Sequence, residues 1–273
     1  MQIGFNFTVG DTLSLTQRLI QEKKIDYCEL LIDNFLHVPP QELKQAFPCP
    51  ISFHIMLSKF LENDVVALSD MADRLQEYIE VLQPLYISDH IACFSHRGRQ
   101  LYHLAESDYQ NDYAHILQRV QWWQTELGQR LYLENYPSLL PGGHEAPGFF
   151  EKLIGGSGAG ILFDISNAIC AARNCGLPTK NWQTLIASTQ HFHVGGYAPS
   201  ILAPHLTLDT HDTTLADDTL NFIVQQRVLL NQPNNTITYE RDGNFSYDQI
   251  SADLAALRAA LTDTSSSTDH APN

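Results

Sequence analysis

Residues 51–90 read ISFHIMLSKFLENDVVALSDMADRLQEYIEVLQPLYISDH. The runs ISFHI (51–55) and YISDH (86–90) are short and mostly apolar, as strands are, and between them Asp64 to Leu82 carries helical spacing. A strand, a helix and a second strand in succession form the unit of a parallel sheet. Both strands close on a histidine, His54 and His90.

The same unit recurs along the chain. Strand-like runs begin at Ile3 (IGFNF), Tyr27 (YCELLI), Leu131 (LYLEN), Ile161 (ILFD), His191 (HFHV) and Thr236 (TITYE). Helical spacing also marks Leu13 to Lys24, Tyr109 to Leu127, Leu215 to Leu230 and Tyr247 to Leu261. Eight strands with crossover helices predict a closed (β/α)8 TIM barrel, whose active site gathers at the C-terminal ends of the strands. At those ends stand His54, His90, Glu134, Asp164, His193 and Glu240, and the triplet DTH adds Asp209 and His211. Strand phase agrees, because side chains alternate between faces. Ser52 and His54 oppose Ile51 and Phe53, Tyr132 and Glu134 oppose Leu131 and Leu133, and His191 and His193 oppose Phe192 and Val194. In the last run Thr238 and Glu240 oppose Ile237 and Tyr239.

Imidazole and carboxylate without thiolate are ligands for zinc, iron, manganese or cobalt, and the residue types do not choose among them. Redox chemistry requires iron or manganese, whereas zinc implies hydrolysis. A buried polar network without metal is the competing explanation. His191 sits one layer deeper than His193 and is read as a supporting residue. His37, His103, His115 and His270 show no partner pattern, and His96 and His144 fall on rim loops.

The 273 residues fit one barrel domain over 1–262, followed by a small, polar tail, 263–273, expected to be disordered. Thirty-one acidic against 16 basic residues give a net charge of −15, which disfavours nucleic-acid partners. No stretch is long and apolar enough for a membrane span, and the N-terminus lacks a basic region followed by an apolar one. The five cysteines are odd in number without a CxxC pair. A reduced, cytoplasmic protein is expected. Connections after His90, Glu134 and His193 are long and belong to the functional rim. The pair Gly195 and Gly196 either admits a ligand to the backbone or makes a turn.

The ligand order resembles that of the xylose-isomerase-like barrels, including zinc endonucleases of abasic DNA. Those nucleases carry a histidine three residues after the aspartate matching Asp164; here that position is Asn167. The D-x-x-N spacing, ENY after Glu134 and HVGGY at His193 are similar to the multinuclear non-haem iron dependent oxidases. MQIGFNFT at the N-terminus, LIDNF at Leu31 to Phe35 and FHIMLSKFLE at Phe53 to Glu62 resemble the MbnB-type enzymes of methanobactin biosynthesis in that group.

The resemblance implies two or three iron ions of mixed Fe(II)/Fe(III) valence with dioxygen as co-substrate. One would use His54, His90 and Glu134; a second would share Glu134 and add Asp164, His193 and Glu240; a third would use Asn167, Asp209 and His211. Asp242, two residues past Glu240 and on its face, is the candidate acid or base. The implied substrate is a cysteine-containing, MbnA-type precursor peptide made by the ribosome, converted to oxazolone and thioamide. The implied partner is an MbnC-type protein in a heterodimer, with Leu36 to Pro50 as a candidate contact. A zinc-dependent hydrolase or endonuclease on the same barrel is the alternative.

Overall fold

The computed structural model describes residues 1–8 and 10–262; the expected tail lies outside the described residues. In chain order the elements are β1 (Gln2–Phe7), α1 (Leu13–Gln21), β2 (Tyr27–Leu31), α2 (Pro40–Ala46), β3 (Ile51–His54), α3 (Val65–Leu82), β4 (Ile87–His90), β5 (Ala92–His96), β6 (Arg99–Glu106), α4 (Tyr113–Leu127), β7 (Leu131–Glu134) and α5 (Ala146–Ser157). There follow β8 (Gly160–Asp164), α6 (Ile165–Cys175), α7 (Gln183–Ser188), β9 (His191–Gly195), β10 (Tyr197–Pro199), β11 (Thr207–Asp209), α8 (Asp217–Leu230), β12 (Thr236–Glu240) and α9 (Tyr247–Thr262). Eight parallel strands close a barrel in the order β1, β12, β9, β8, β7, β4, β3, β2. The barrel expected from the sequence is therefore present. The other strands form two antiparallel hairpins, β5–β6 and β10–β11.

α3 shows how a crossover helix is specified. Asp64 caps it, accepting a 3.0 Å hydrogen bond from the Ala67 amide. Leu68, Ala72, Leu75, Tyr78 and Leu82 form its buried stripe. Gln83 ends it in the left-handed region at φ +49°, its amide bonded to the Ile79 carbonyl. Leu75 is wholly buried, so Leu75→Ala would cost about 2–5 kcal/mol through transfer and cavity terms.

The strands divide by phase. Phe5, Leu30, Phe53, Ile87, Leu133, Phe163, Phe192 and Ile237 join the core between barrel and helices. Tyr27, Tyr86 and Leu162, with Tyr132 against them, form a separate apolar plug. Glycine makes room for that plug at two positions. A Cβ at Gly4 would lie 2.3 Å from the Tyr27 ring, and one at Gly160 would lie 2.4 Å from the Tyr132 ring. Above the plug the same inward phase carries polar groups, which have the barrel mouth as their outlet. No helix among the described residues is long and apolar enough to cross a membrane.

Candidate metal centre at the barrel mouth

Register brings the strand-end residues together. His90 on β4 is the lateral neighbour of Glu134 on β7, Asp164 on β8 is the neighbour of His193 on β9, and Glu240 on β12 lies beside Gly195. Two groups result, His54–His90–Glu134 and Glu134–Asp164–His193–Glu240, each with its candidate ligand atoms within 4.8 Å of one another. Glu134 belongs to both. Its Oε2 is 3.0 Å from His90 Nε2 and 3.5 Å from His54 Nε2. On the other side His193 Nδ1 is 3.0 Å from Glu240 Oε2 and 3.8 Å from Glu134 Oε1.

The outer nitrogens of the first pair are held by neutral groups. His54 Nδ1 meets Ser88 Oγ at 2.8 Å, and His90 Nδ1 meets the Ile55 carbonyl at 3.1 Å. This leaves both Nε2 atoms directed at Glu134, an arrangement in which hydrogen-bond partners orient the ring. Asp164 has a double role. Its Oδ1 caps α6 by accepting from the Asn167 amide, while Oδ2 is buried without a hydrogen-bond partner.

Asn167 lies one helical turn on. Its Nδ2 donates to Glu134 Oε1 at 3.2 Å and to the Asn135 carbonyl at 2.9 Å, leaving Oδ1 buried and unpartnered. Asp209 Oδ1 lies 2.8 Å from His211 Nε2, which is also 3.6 Å from Glu240 Oε2. His211 sits at φ +48°, uncommon for a residue with a side chain. Gly195 explains how the ring fits, because a Cβ there would stand 2.4 Å from His211 Cδ2. At Gly196 a Cβ would meet the Thr213 carbonyl oxygen at 2.2 Å. The two glycines therefore make space for the 209–213 segment.

The nine residues expected as ligands all come to this mouth, and Asp242 joins them. Asp242 Oδ1 accepts from Asn6 Nδ2 at 2.8 Å, and its Oδ2 is 3.3 Å from His211 Nδ1. Burial opposes its ionisation, but His211 and Asn6 hold its carboxyl below the usual range. His191 lies beneath, bonded to Thr236 Oγ1 at 2.9 Å and stacked on Tyr86 at 4.2 Å. Burial pushes His191 down to about 4, so it is a neutral floor residue.

The electrostatics call for cations. Burial, together with the charges of Asp209, Glu134 and Glu240, pushes the Asp164 carboxyl well up. Burial also raises Glu240. Although burial works against it, Glu134 is held below the usual range by His90, His54 and His193. Burial, with help from His90, lowers His54 to about 3, whereas the hydrogen bond and charge of Glu134 overcome burial and lift His90 to about 9. Asp164 Oδ2, Asn167 Oδ1, His193 Nδ1, Asp209 Oδ1, His211 Nε2 and Glu240 Oε2 are all buried at close range without aligned hydrogen bonds. Imidazole nitrogens and carboxylate oxygens that converge without aligned hydrogen bonds are a donor set that metal ions satisfy, and the residues fit that role.

Above the centre opens a cavity of about 1460 Å³. Its walls include Leu101, Leu104, Tyr136, Leu140, Leu206 and Leu208, drawn from both hairpins and the loop after β7. His103, set aside in the sequence, lines this wall. Sequence reasoning missed Glu29 and Asn6, which face inward from β2 and β1. The alternation Tyr27, Glu29, Leu31 held the signal for Glu29, but attention to strand ends passed over a mid-strand residue.

This architecture defines a (β/α)8 TIM barrel with a polar cluster at its mouth. It matches D-psicose 3-epimerase from Clostridium cellulolyticum H10 with D-tagatose at a TM-score of 0.64, 11% identity, and coverage of 96% of this chain and 99% of that one. It also matches a xylose isomerase-like TIM barrel protein from Mycobacterium smegmatis in complex with magnesium at a TM-score of 0.61, 15% identity, and coverage of 95% and 97%. In sequence, a UPF0276 protein of Anaeromyxobacter sp. (strain Fw109-5) is 26% identical over 211 residues, 71% of each chain. One from Acaryochloris marina (strain MBIC 11017) is 26% identical over 202 residues, 71% of this chain and 72% of the relative. The chain belongs to the MbnB/TglH/ChrH family of RiPP precursor modification enzymes, whose family model matches residues 7–262. Membership supports a RiPP-modifying enzyme with a precursor peptide as substrate.

Proposed function

We propose that the protein is a multinuclear non-haem iron oxidase that uses dioxygen to convert cysteine residues of a ribosomally made precursor peptide into oxazolone and thioamide groups, as in methanobactin biosynthesis. The observation that carries this reading is Glu134, one buried carboxylate shared by two ligand groups. Glu134 would be a ligand common to two metal ions held by these groups. When bound, iron of mixed valence would supply a centre that takes the cysteine thiolate beside a ferrous centre that reduces dioxygen in a four-electron oxidation.

His54 and His90 would hold one ion through Nε2, with Glu134. Asp164 Oδ2, His193 Nδ1 and Glu240 Oε2 would hold the next, and Asn167, Asp209 and His211 a third. Asp242, ionised and facing the cavity, is the proton acceptor at Oδ2, and through His211 Nδ1 it also sets the orientation of that ring. The apolar walls from the two hairpins would grip peptide side chains and exclude water from the centre. An MbnC-type partner in a heterodimer belongs to the same reading, with the segment around α2 as a candidate contact, and so does a cytoplasmic setting.

The test is metal content of protein co-expressed with its partner, followed by dioxygen uptake on adding a cysteine-containing precursor peptide. Two or three irons per chain with peptide-dependent uptake support the proposal. Zinc without uptake overturns it in favour of the hydrolase alternative, for which the same thiolate-free ligand set is suited.

A further inference from the structure

The barrel holds a carboxylate that none of the three ligand groups uses. Glu29, in the middle of β2, is 1% exposed, and its Oε1 lies 2.8 Å from His193 Nε2. The contact is an ion pair by distance, and neither atom has an aligned hydrogen bond among the described residues. The other oxygen, Oε2, is fixed from below: it accepts from the Tyr86 hydroxyl and from Ser52 Oγ at 3.3 Å. Tyr86 is held in turn by Thr238 Oγ1 at 3.1 Å and by its stack on His191. Among the described residues, the ion-pair partner of Glu29 is His193.

Resting on the metal-centre reading above, we infer that Glu29 is a positioning residue, which engages His193 through Nε2 so that Nδ1 is the atom presented to Glu134, Asp164 and Glu240. An imidazole offers two nitrogens, and a half-turn of the ring puts Cδ2 in the place of Nδ1 and Cε1 in the place of Nε2. Something must select the orientation. For His54 and His90 the selecting groups are a hydroxyl and a carbonyl; for His193 it is an anion buried in the barrel. A carboxylate on the outer nitrogen fixes the tautomer and makes the ring a more basic ligand. His193 thereby differs from His54 and His90 in electronic character as well as in place. The same pairing explains why a carboxylate occurs in mid-barrel, since burying it without such a partner would be costly.

The test is Glu29→Gln, which keeps the size and removes the charge. Protein as isolated is exposed to graded ferrozine, and retained iron per chain is counted. The centre containing His193 should lose roughly 10- to 100-fold in affinity, while the His54–His90 centre holds its iron as the parent protein does. In a His193→Asn background, Glu29→Gln should produce no further loss. If Glu29→Gln does not fold, Tyr86→Phe and Ser52→Ala, which loosen Glu29 itself, should weaken the same centre by a smaller factor. A parental retention curve for Glu29→Gln, equal loss from both centres, or additive effects with His193→Asn would each overturn the inference and leave the oxidase reading standing. Parent protein that holds no transition metal would overturn both.

Discussion

Gly195→Ala is the smallest change that reaches the centre. The new Cβ would lie 2.4 Å from His211 Cδ2 and 2.9 Å from Nε2, where ordinary contact begins at 3.4 Å. The His211 backbone is pinned, its amide donating to the Gly196 carbonyl at 2.8 Å and its carbonyl accepting from the Asp242 amide at 2.6 Å. The ring must therefore retreat, by about 1 Å, roughly half a metal–nitrogen bond length. That displacement breaks its geometry with Asp209 and Glu240, now 2.8 and 3.6 Å from Nε2. The group of Asn167, Asp209 and His211 should lose its ion with a 10- to 100-fold fall in affinity, and turnover should fall about 10²-fold. Stability should fall by at most about 2 kcal/mol, because overpacking of about 1–3 kcal/mol is partly offset by the roughly 0.5–1 kcal/mol gained when alanine replaces glycine in a strand. Elemental analysis, calorimetry and peptide-dependent dioxygen uptake read the three quantities. Gly196→Ala is the contrast: its Cβ meets backbone, the Thr213 carbonyl oxygen at 2.2 Å, so it should lower the melting temperature. Parental iron content and uptake in Gly195→Ala would refute the assignment of His211.

Further expectations follow from the same geometry. Glu134→Ala removes the carboxylate shared by both main groups, so iron should be lost from both and turnover should fall about 10²-fold or more; loss of one ion alone would count against sharing. Asp242→Asn should lower kcat by about 10²–10⁴-fold, the range for a missing acid–base group, while any loss of iron is confined to the group of Asn167, Asp209 and His211, whose ring Asp242 orients; an unchanged kcat would remove Asp242 from the reaction. His191 is lowered from 6.5 to about 4, so the unfolded chain takes up the proton first. Stability should fall with pH through that window by up to roughly 3 kcal/mol, a slope that His191→Asn should flatten in melting curves.

The barrel was legible because its inner strands are short apolar runs in a fixed phase, and all eight runs became barrel strands. The hairpins were not. ACFSH and RQLYHLAE follow a barrel strand directly and read as loop, yet Arg97 and Gly98, both at positive φ, turn one strand back on the other. α6 escaped because the polar Ser166 and Asn167 lie within its buried stretch from Ile165 to Ala171. α5 is obscured by Gly155 and Gly156 in its last turn. Within the centre, strand-end residues were visible as a series, whereas Asn6 and Glu29 act from within strands, and Gly195 acts through the side chain it lacks.

The β5–β6 hairpin leaves the barrel after β4 and returns before α4, and it supplies wall residues of the cavity but none of the candidate ligands. In the proposed reading this hairpin contributes wall alone, whereas β11 contributes both wall and ligand, Leu208 standing beside Asp209. Selection, or a protein engineer, can lengthen, shorten or exchange that hairpin to suit a different precursor while the inner strands keep their chemistry, so one barrel can serve many peptides by changing its rim.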